Sequence, residues 1–296
     1  MKVGVDCGST LTKFYWREGG EDRFTSTADR SLPQILERLR RAGVVNLAIT
    51  GNGKHLLPHA IGFGLSWPKQ HEAADDVSRE LDLQVVGARH LLGVPEDMIL
   101  VSVGSGTSYT LLRAEGQWEQ LCIGNPLGGG HIYGLACLLG EPDAKIINRK
   151  SRLDDTTLRG VVAGKRPYDY DLSLGELLGL DATDLRYRFV ASHFTKADPG
   201  YRQGKKLDRG AVYRTIMNEV VIAIVRDLMV QYTIRPDLPK LVVYLGSTVT
   251  RFEYLQQVFA LYTPFVTLES ADQTPVEVTF PPRGEYAGAI GAYLSH

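Results

Sequence analysis

Gly4-Val5-Asp6-Cys7-Gly8-Ser9-Thr10-Leu11-Thr12-Lys13 is the stretch from which the architecture is read. Val3 and Val5 alternate with smaller or polar neighbours, which predicts a short strand over Met1–Cys7. Gly8-Ser9-Thr10 reads as a turn and Leu11–Arg17 as a second strand, so the pair is expected to form a hairpin. Such a turn offers unhindered backbone N–H groups and hydroxyls, which suit polyphosphate oxygens. Asp6 adds a carboxylate suited to hydrated Mg²⁺, and Lys13 adds a point charge suited to phosphate.

Further along the chain the same pattern recurs. Ser31–Ala42 carries Leu32, Ile35, Leu36 and Leu39 at helical spacing, with Ser31 as cap and Gly43 as stop. Val44–Thr50 is a buried strand ending at Gly51-Asn52-Gly53, and His71–Leu92 is a long helix with Leu81, Val85, Ala88 and Leu92 on one stripe. Met98–Val103 is a strand broken by Gly104-Ser105-Gly106, and Ser108–Arg113 returns as its partner. Gly128–Leu139 opens with three glycines and continues as a helix. Between Glu141 and Arg209 the chain is charged, with helical patches near Leu158 and over Leu174–Leu180. A periodic helix over Val212–Thr233 follows, then a strand over Lys240–Leu245 closing on Gly246-Ser247. Phe252–Leu261 reads as helix, Pro264–Leu268 as extended, and Tyr286–Leu294 as a final small-residue helix. Strands that run into glycine turns and alternate with helices predict α/β architecture.

One glycine-rich turn is most simply just a turn. The informative fact is several in order: Asp6–Thr10, Gly104–Ser108, Gly128–Gly130 and Gly246-Ser247, each beside an apolar strand. Two common nucleotide motifs do not fit. Gly53-Lys54 is followed by His55 and lacks the earlier glycine of a Walker A loop. Neither Gly51-Asn52-Gly53 nor Gly104-Ser105-Gly106 completes GxGxxG between strand and helix.

Composition narrows the function. The 296 residues are 44% hydrophobic and 23% charged with a formal net charge of −1, a globular mixture with no basic field for nucleic acid or anionic lipid. No run of eighteen apolar residues (the length a span needs) appears, and the N-terminus has no signal-peptide pattern. Cys7, Cys122 and Cys137 form no CxxC pair, which favours reduced thiols and a cytoplasmic address.

The order of an N-terminal DxGxT hairpin, a mid-chain glycine-hydroxyl hairpin and a late strand ending Gly-Ser resembles the actin, sugar kinase and Hsp70 superfamily. Within it, type II pantothenate kinases fit best. Their GxDxGGTLxK opening resembles Gly4–Lys13, and their NxGxGxS turn resembles Val103–Ser108. Their GGGxxxGLxxLL run matches Gly128–Leu139, their VxxGS matches the strand ending at Ser247, and their GxxxGAxGAxL ending matches Gly284–Leu294. The resemblance implies two actin-like (ribonuclease H-like) α/β domains, over residues 1–97 and 98–296, with ATP in the interdomain cleft. It implies phosphates near Gly8, Ser9, Thr10, Lys13 and Gly104, Ser105, Gly106, Thr107, Ser108. The nucleoside would lie near Gly128, Gly129, Gly130, Gly246 and Ser247, and Mg²⁺ would be held by Asp6 through water. It further implies an acceptor hydroxyl on pantothenate, coenzyme A or acyl-CoA as feedback ligand, and a homodimer built through the C-terminal domain. The final helix is expected to pack at the hinge between the domains, where Gly288, Ala289, Gly291 and Ala292 permit close approach.

Phosphorylating an alcohol needs a carboxylate that takes the hydroxyl proton. The family's ELDxxxxG resembles Glu80-Leu81-Asp82 followed by Gly87, which makes Glu80 the expected general base. Glu80 stands about 100° around the helix from Leu81, off the apolar stripe. Glu72, Asp75 and Asp76 are rivals that read more simply as first-turn carboxylates at the positive helix end. One departure bears on the acceptor. The family arginine that precedes the GGG run and holds pantothenate is replaced by Leu121, and Arg113, Arg188 and Arg202 are the candidates to substitute for it. GVDCGSTLTK also resembles the ATPase activators of 2-hydroxyacyl-CoA dehydratases, and the loss of the arginine suits a nucleotide- or coenzyme A-binding regulator without transfer activity. Iron content separates the first alternative, and turnover of ATP the second.

Overall fold

The computed structural model describes residues 1–8, 10–27, 32–51, 76–93, 96–140, 169–270 and 273–295. The chain falls into two compact units. One comprises Met1–Ile123, Leu241–Thr250 and Thr279–His296, and the other Gly124–Lys240 and Arg251–Val278. The division therefore comes after Ile123 rather than at residue 97, and the chain re-enters the first unit twice. The cause is long-range pairing, since a strand and a helix from the last quarter of the chain build into the first unit.

In that unit β1 (Lys2–Cys7), β2 (Thr12–Glu18), β3 (Glu21–Thr27) and β4 (Asn46–Gly51) form a sheet in the order β3-β2-β1-β4. The β1–β2 and β2–β3 pairs are antiparallel, and β1–β4 is parallel. One face is apolar for a plain reason of period. Val3, Val5 and Cys7 of β1, Phe14 of β2 and Leu47 and Ile49 of β4 all point to it and bury against Leu32, Leu36 and Leu39 of α1 (Leu32–Arg41). Gly43, at φ +78°, ends that helix's turn as expected, whereas the proposed cap Ser31 lies outside the described residues. The strand β3 is an addition to the sequence reading.

A second sheet in the same unit contains β5 (Met98–Val103), β6 (Thr107–Leu112), β7 (Trp118–Gln120) and β8 (Leu241–Leu245). Here β8 runs parallel to β5, and β6 is antiparallel to both β5 and β7. Both sheets thus start from a hairpin with a glycine turn and are mixed, and among the described residues no continuous parallel sheet joins them.

Two helices fill the space beside these sheets. The helix α2 (Asp76–Leu92) buries Val85 and Ala88 against Met98, Leu100, Leu112, Val243 and Leu245, while Leu83 packs with Ala48 and Ala292. The part of the expected helix before Asp76, with Glu72 and Asp75, lies outside the described residues. The final helix α3 (Ala287–Leu294) packs on α2 almost backbone to backbone. A Cβ at Gly87 would overlap the Ala287 carbonyl, and one at Gly291 would overlap the Leu83 carbonyl. The small residues of the closing segment therefore do what their spacing suggested, by admitting a helix at a distance no side chain permits.

The second unit is organised by a long helix, Arg209–Ile234, whose start is capped by Asp208 accepting from the Gly210 N–H. Beside it the Glu253–Tyr262 helix anchors a buried polar network, in which the Tyr254 hydroxyl donates to Asn218 Oδ1 (2.7 Å) and Asn218 Nδ2 to Asp171 Oδ2 (2.8 Å). Leu174–Leu178 is a short helix with Ser173 and Glu176 as a capping box, as its pattern suggested, and the patch near Leu158 lies outside the described residues. The segment expected to be extended over Pro264–Leu268 instead turns, with Thr263–Phe265 as a 3₁₀ helix. Pro264 suits such a first turn, and the Val266 N–H closes on the Thr263 carbonyl. Among the described residues no helix is long and apolar enough to cross a membrane.

Candidate functional site

The two glycine hairpins of the first unit meet at their tips. The Gly8 N–H donates to the Leu11 carbonyl (3.1 Å), closing the first turn, and the Gly104 N–H donates to the Gly106 carbonyl (2.9 Å), closing the second. Across the gap the hydroxyls of Thr10 and Ser105 lie 3.0 Å apart. A third turn joins them. Gly246 adopts φ +100°, and a Cβ there would overlap the Val103 carbonyl, so β8 can end against β5 only with glycine at this position. The Thr248 hydroxyl then donates to the Gly104 carbonyl (2.9 Å), tying the late Gly-Ser turn to the middle one.

These turns line one cavity of about 410 Å³, within the usual range for a small-molecule site. Asp6, Gly8, Thr10 and Lys13 contribute from the first hairpin, Gly104 through Ser108 from the second, and Gly246 and Ser247 from the third turn. Glu80 enters it from α2. Lys13 Nζ donates to Asp6 Oδ2 at 3.0 Å in a pair that is almost wholly buried. The pairing is dictated by register, because Asp6 and Lys13 sit directly opposite in the β1–β2 ladder.

Glu80 is the electrostatically unusual group. Burial, and after it the negative charge of Asp6, push its carboxyl up to about 7, while Lys13 and the side-chain amide of Gln84 act the other way. Gln84 Nε2 donates to Glu80 Oε1 at 3.2 Å, one helical turn on. A carboxyl poised near neutrality beside a buried ion pair is suited to act as a general base.

Of the residues singled out in the sequence, Ser9 lies outside the described residues. Gly128, Gly129 and Gly130 belong to the second unit, where they open the Gly129–Leu138 helix, and Asn125 Nδ2 donates to Asp227 Oδ2 (2.7 Å) just before them. Cys7, Leu11, Gln84 and Ser102 also line the cavity without having been expected as site residues; of these, Gln84 carried a signal in its i, i+4 spacing from Glu80. The three candidate replacements for the missing arginine are engaged elsewhere. Arg113 pairs with Asp97 (2.8 Å), Arg188 lies over the Phe265 ring, and Arg202 donates to the carbonyls of Ala197 and Lys205.

No family model matches the chain. Among curated proteins, the type II pantothenate kinase of Staphylococcus saprophyticus is 25% identical over 298 residues, covering 99% of both chains. That of Staphylococcus aureus strain USA300 is 27% identical over 297 residues, covering 99% of this chain and 98% of its own. The chain resembles type II pantothenate kinases from end to end. Among solved structures, a ROK family glucokinase from Streptomyces griseus, in complex with glucose and AMPPNP, superposes with a TM-score of 0.51 at 15% identity, covering 99% of this chain and 98% of that one. The fold is that of the actin-like kinases and ATPases.

Proposed function

We propose that this protein is an ATP-dependent kinase that phosphorylates the hydroxyl of pantothenate, with Glu80 as general base. The observation that carries this reading is the convergence of Glu80, Asp6, Lys13 and three glycine turns on one cavity. The end-to-end similarity to type II pantothenate kinases supports the acceptor.

The backbone N–H groups and hydroxyls of Thr10, Ser105, Thr107 and Ser108 would receive the phosphates of ATP, and Lys13 would neutralise part of their charge. Among the described residues no cluster of three or more His, Cys, Asp or Glu side chains could enclose a metal. That donor set fits Mg²⁺, which keeps several waters and needs only one or two carboxylates besides the phosphates, and Asp6 is the carboxylate in place. When bound, Mg²⁺ supplies charge neutralisation on the transferred phosphoryl group. Glu80 accepts the proton of the acceptor hydroxyl as its oxygen bonds to the γ-phosphorus and the bond to the β-phosphate oxygen breaks, releasing ADP. The same reading carries coenzyme A or acyl-CoA as feedback ligand and a homodimer, on the family likeness alone.

Lys13→Ala should weaken ATP use by about 1.5–3 kcal/mol, the worth of a hydrogen bond to a charged group. Removing that charge should also drive the Glu80 carboxyl further up, because Lys13 is one of the groups holding it down. Initial rates against ATP concentration check this, and an unchanged KM and kcat would remove Lys13 from the phosphate site.

The acceptor has its own test, ADP release with ATP, Mg²⁺ and a set of pantothenate-like alcohols. A regulator without transfer activity is the second reading, and it is favoured by Leu121 together with the prior engagement of Arg113, Arg188 and Arg202. Leu121→Arg should improve pantothenate use by about tenfold if a charge-assisted contact to the acceptor carboxylate is restored. A panel in which no alcohol stimulates ADP release, from either the wild type or that variant, would favour the regulator.

A further inference from the structure

Asp6 sits in a cross-strand row, Lys13 on one side and Thr50 on the other, since Asp6 pairs with Lys13 of β2 and with Thr50 of β4. Directly paired residues on neighbouring strands, about 5 Å apart, point to the same face of a sheet. Leu47 and Ile49 bury in the apolar core beneath, and Ala48 on the opposite face packs with Leu83 and Ala292. Thr50 therefore shares the face of Asp6, which opens on the cavity. Its side chain is nine-tenths buried, at 5% exposure, and its hydroxyl has no hydrogen-bond partner among the described residues.

The Asp6 carboxylate is placed to complement it. Lys13 takes Oδ2, and a Cβ at Gly288 would stand only 3.0 Å from that same oxygen. Oδ1 points the other way, toward β4, where a Cβ at Gly51 would stand 3.2 Å from it. Among the described residues Lys13 is the only group hydrogen-bonded to Asp6. A buried hydroxyl that donates to nothing thus stands beside a carboxylate oxygen that accepts nothing, a pairing that a single water satisfies.

We propose that Thr50 is a positioning residue whose hydroxyl shares a water with Asp6 Oδ1 and so fixes the carboxylate that holds the hydrated divalent cation. The proposal rests on the reading of Asp6 as that carboxylate. Thr12 supplies the control. Its hydroxyl is buried and unpartnered too, yet Thr12 pairs with Cys7, on the face turned to the core.

The test titrates Mn²⁺ into the full-length protein with ADP present and reads bound cation by electron paramagnetic resonance. Thr50→Val should weaken Mn²⁺ binding about tenfold, the usual effect of losing one water-mediated contact to a charged group. Thr50→Ser and Thr12→Val should bind as the wild type does. In EDTA, Thr50→Val should still melt in one cooperative transition, lowered only slightly, by the loss of one water-mediated hydrogen bond. Wild-type Mn²⁺ affinity in Thr50→Val, or an equal loss of affinity in Thr12→Val, would overturn the inference. Were Asp6→Asn also to bind Mn²⁺ as the wild type does, the Asp6 reading itself would fall, and the Thr50 role with it.

Discussion

Glu80→Gln should cut kcat by about 10²–10⁴ while leaving ATP binding in place, because the amide keeps the size of the side chain but cannot accept the acceptor's proton. The same change should make the protein more stable at pH 8. Burial and Asp6 raise the folded-state value of Glu80 from 4.5 to about 7, so the folded protein holds a proton that the unfolded chain has released. The sign follows. Below about pH 4.5 the group is neutral in both states and costs nothing. Between about 4.5 and 7 the folded state loses stability as pH rises, and above about 7 the full cost of a buried charge remains. Glutamine does not titrate and escapes that cost, so its advantage in melting temperature should appear across this window and vanish in acid. In the wild type, kcat/KM should climb with pH through an apparent pKa near 7. Pre-equilibrium binding of labelled ATP, a pH–rate profile and melting curves at pH 4.5 and 8 check the three parts. A variant that is slower but no more stable at pH 8 would mean that Glu80 is not held in the folded state at that raised value.

Gly291→Ala should be among the most damaging single-methyl additions in the described residues. Its Cβ would overlap the Leu83 carbonyl, a backbone atom in the middle of α2 that cannot swing aside as a side-chain tip would. Separating α3 from α2 enough to admit it would loosen Ala48, Leu83 and Ala292 together, at a cost of about 3 kcal/mol. Gly134 is the contrast. It lies within a helix, and a Cβ there would meet nothing within 4 Å, so Gly134→Ala should be neutral or stabilising by about 0.5–1 kcal/mol. Urea unfolding of both variants measures the difference. Equal stabilities would mean that α2 and α3 do not meet at this distance.

Sequence and structure agree best where one residue type has one physical use. Asp6 and Lys13 were legible because a hairpin around Gly8 must place them in register, and Gly246 because a strand end with φ +100° demands glycine. The α2 stripe was legible from its period, and with it the off-stripe position of Glu80. What was hidden is non-local or lacks period. The strand β3, Glu-Asp-Arg-Phe-Thr-Ser-Thr, is an edge strand with an exposed, charged first half, so no alternation marks it. The division after Ile123 depends on β8 and α3 returning to the first unit, which no local pattern encodes. Thr50 reads as one more apolar-strand residue until the register sets it beside Asp6.

Transfer of the γ-phosphate of ATP to pantothenate is the measurement that bears most directly on the proposed function. With Mg²⁺ and labelled ATP, the wild type should form phosphorylated pantothenate and ADP in equal amounts, and Glu80→Gln should form both at least a hundredfold more slowly. ADP release that pantothenate does not stimulate, or phosphorylated product formed equally fast by Glu80→Gln, would contradict it.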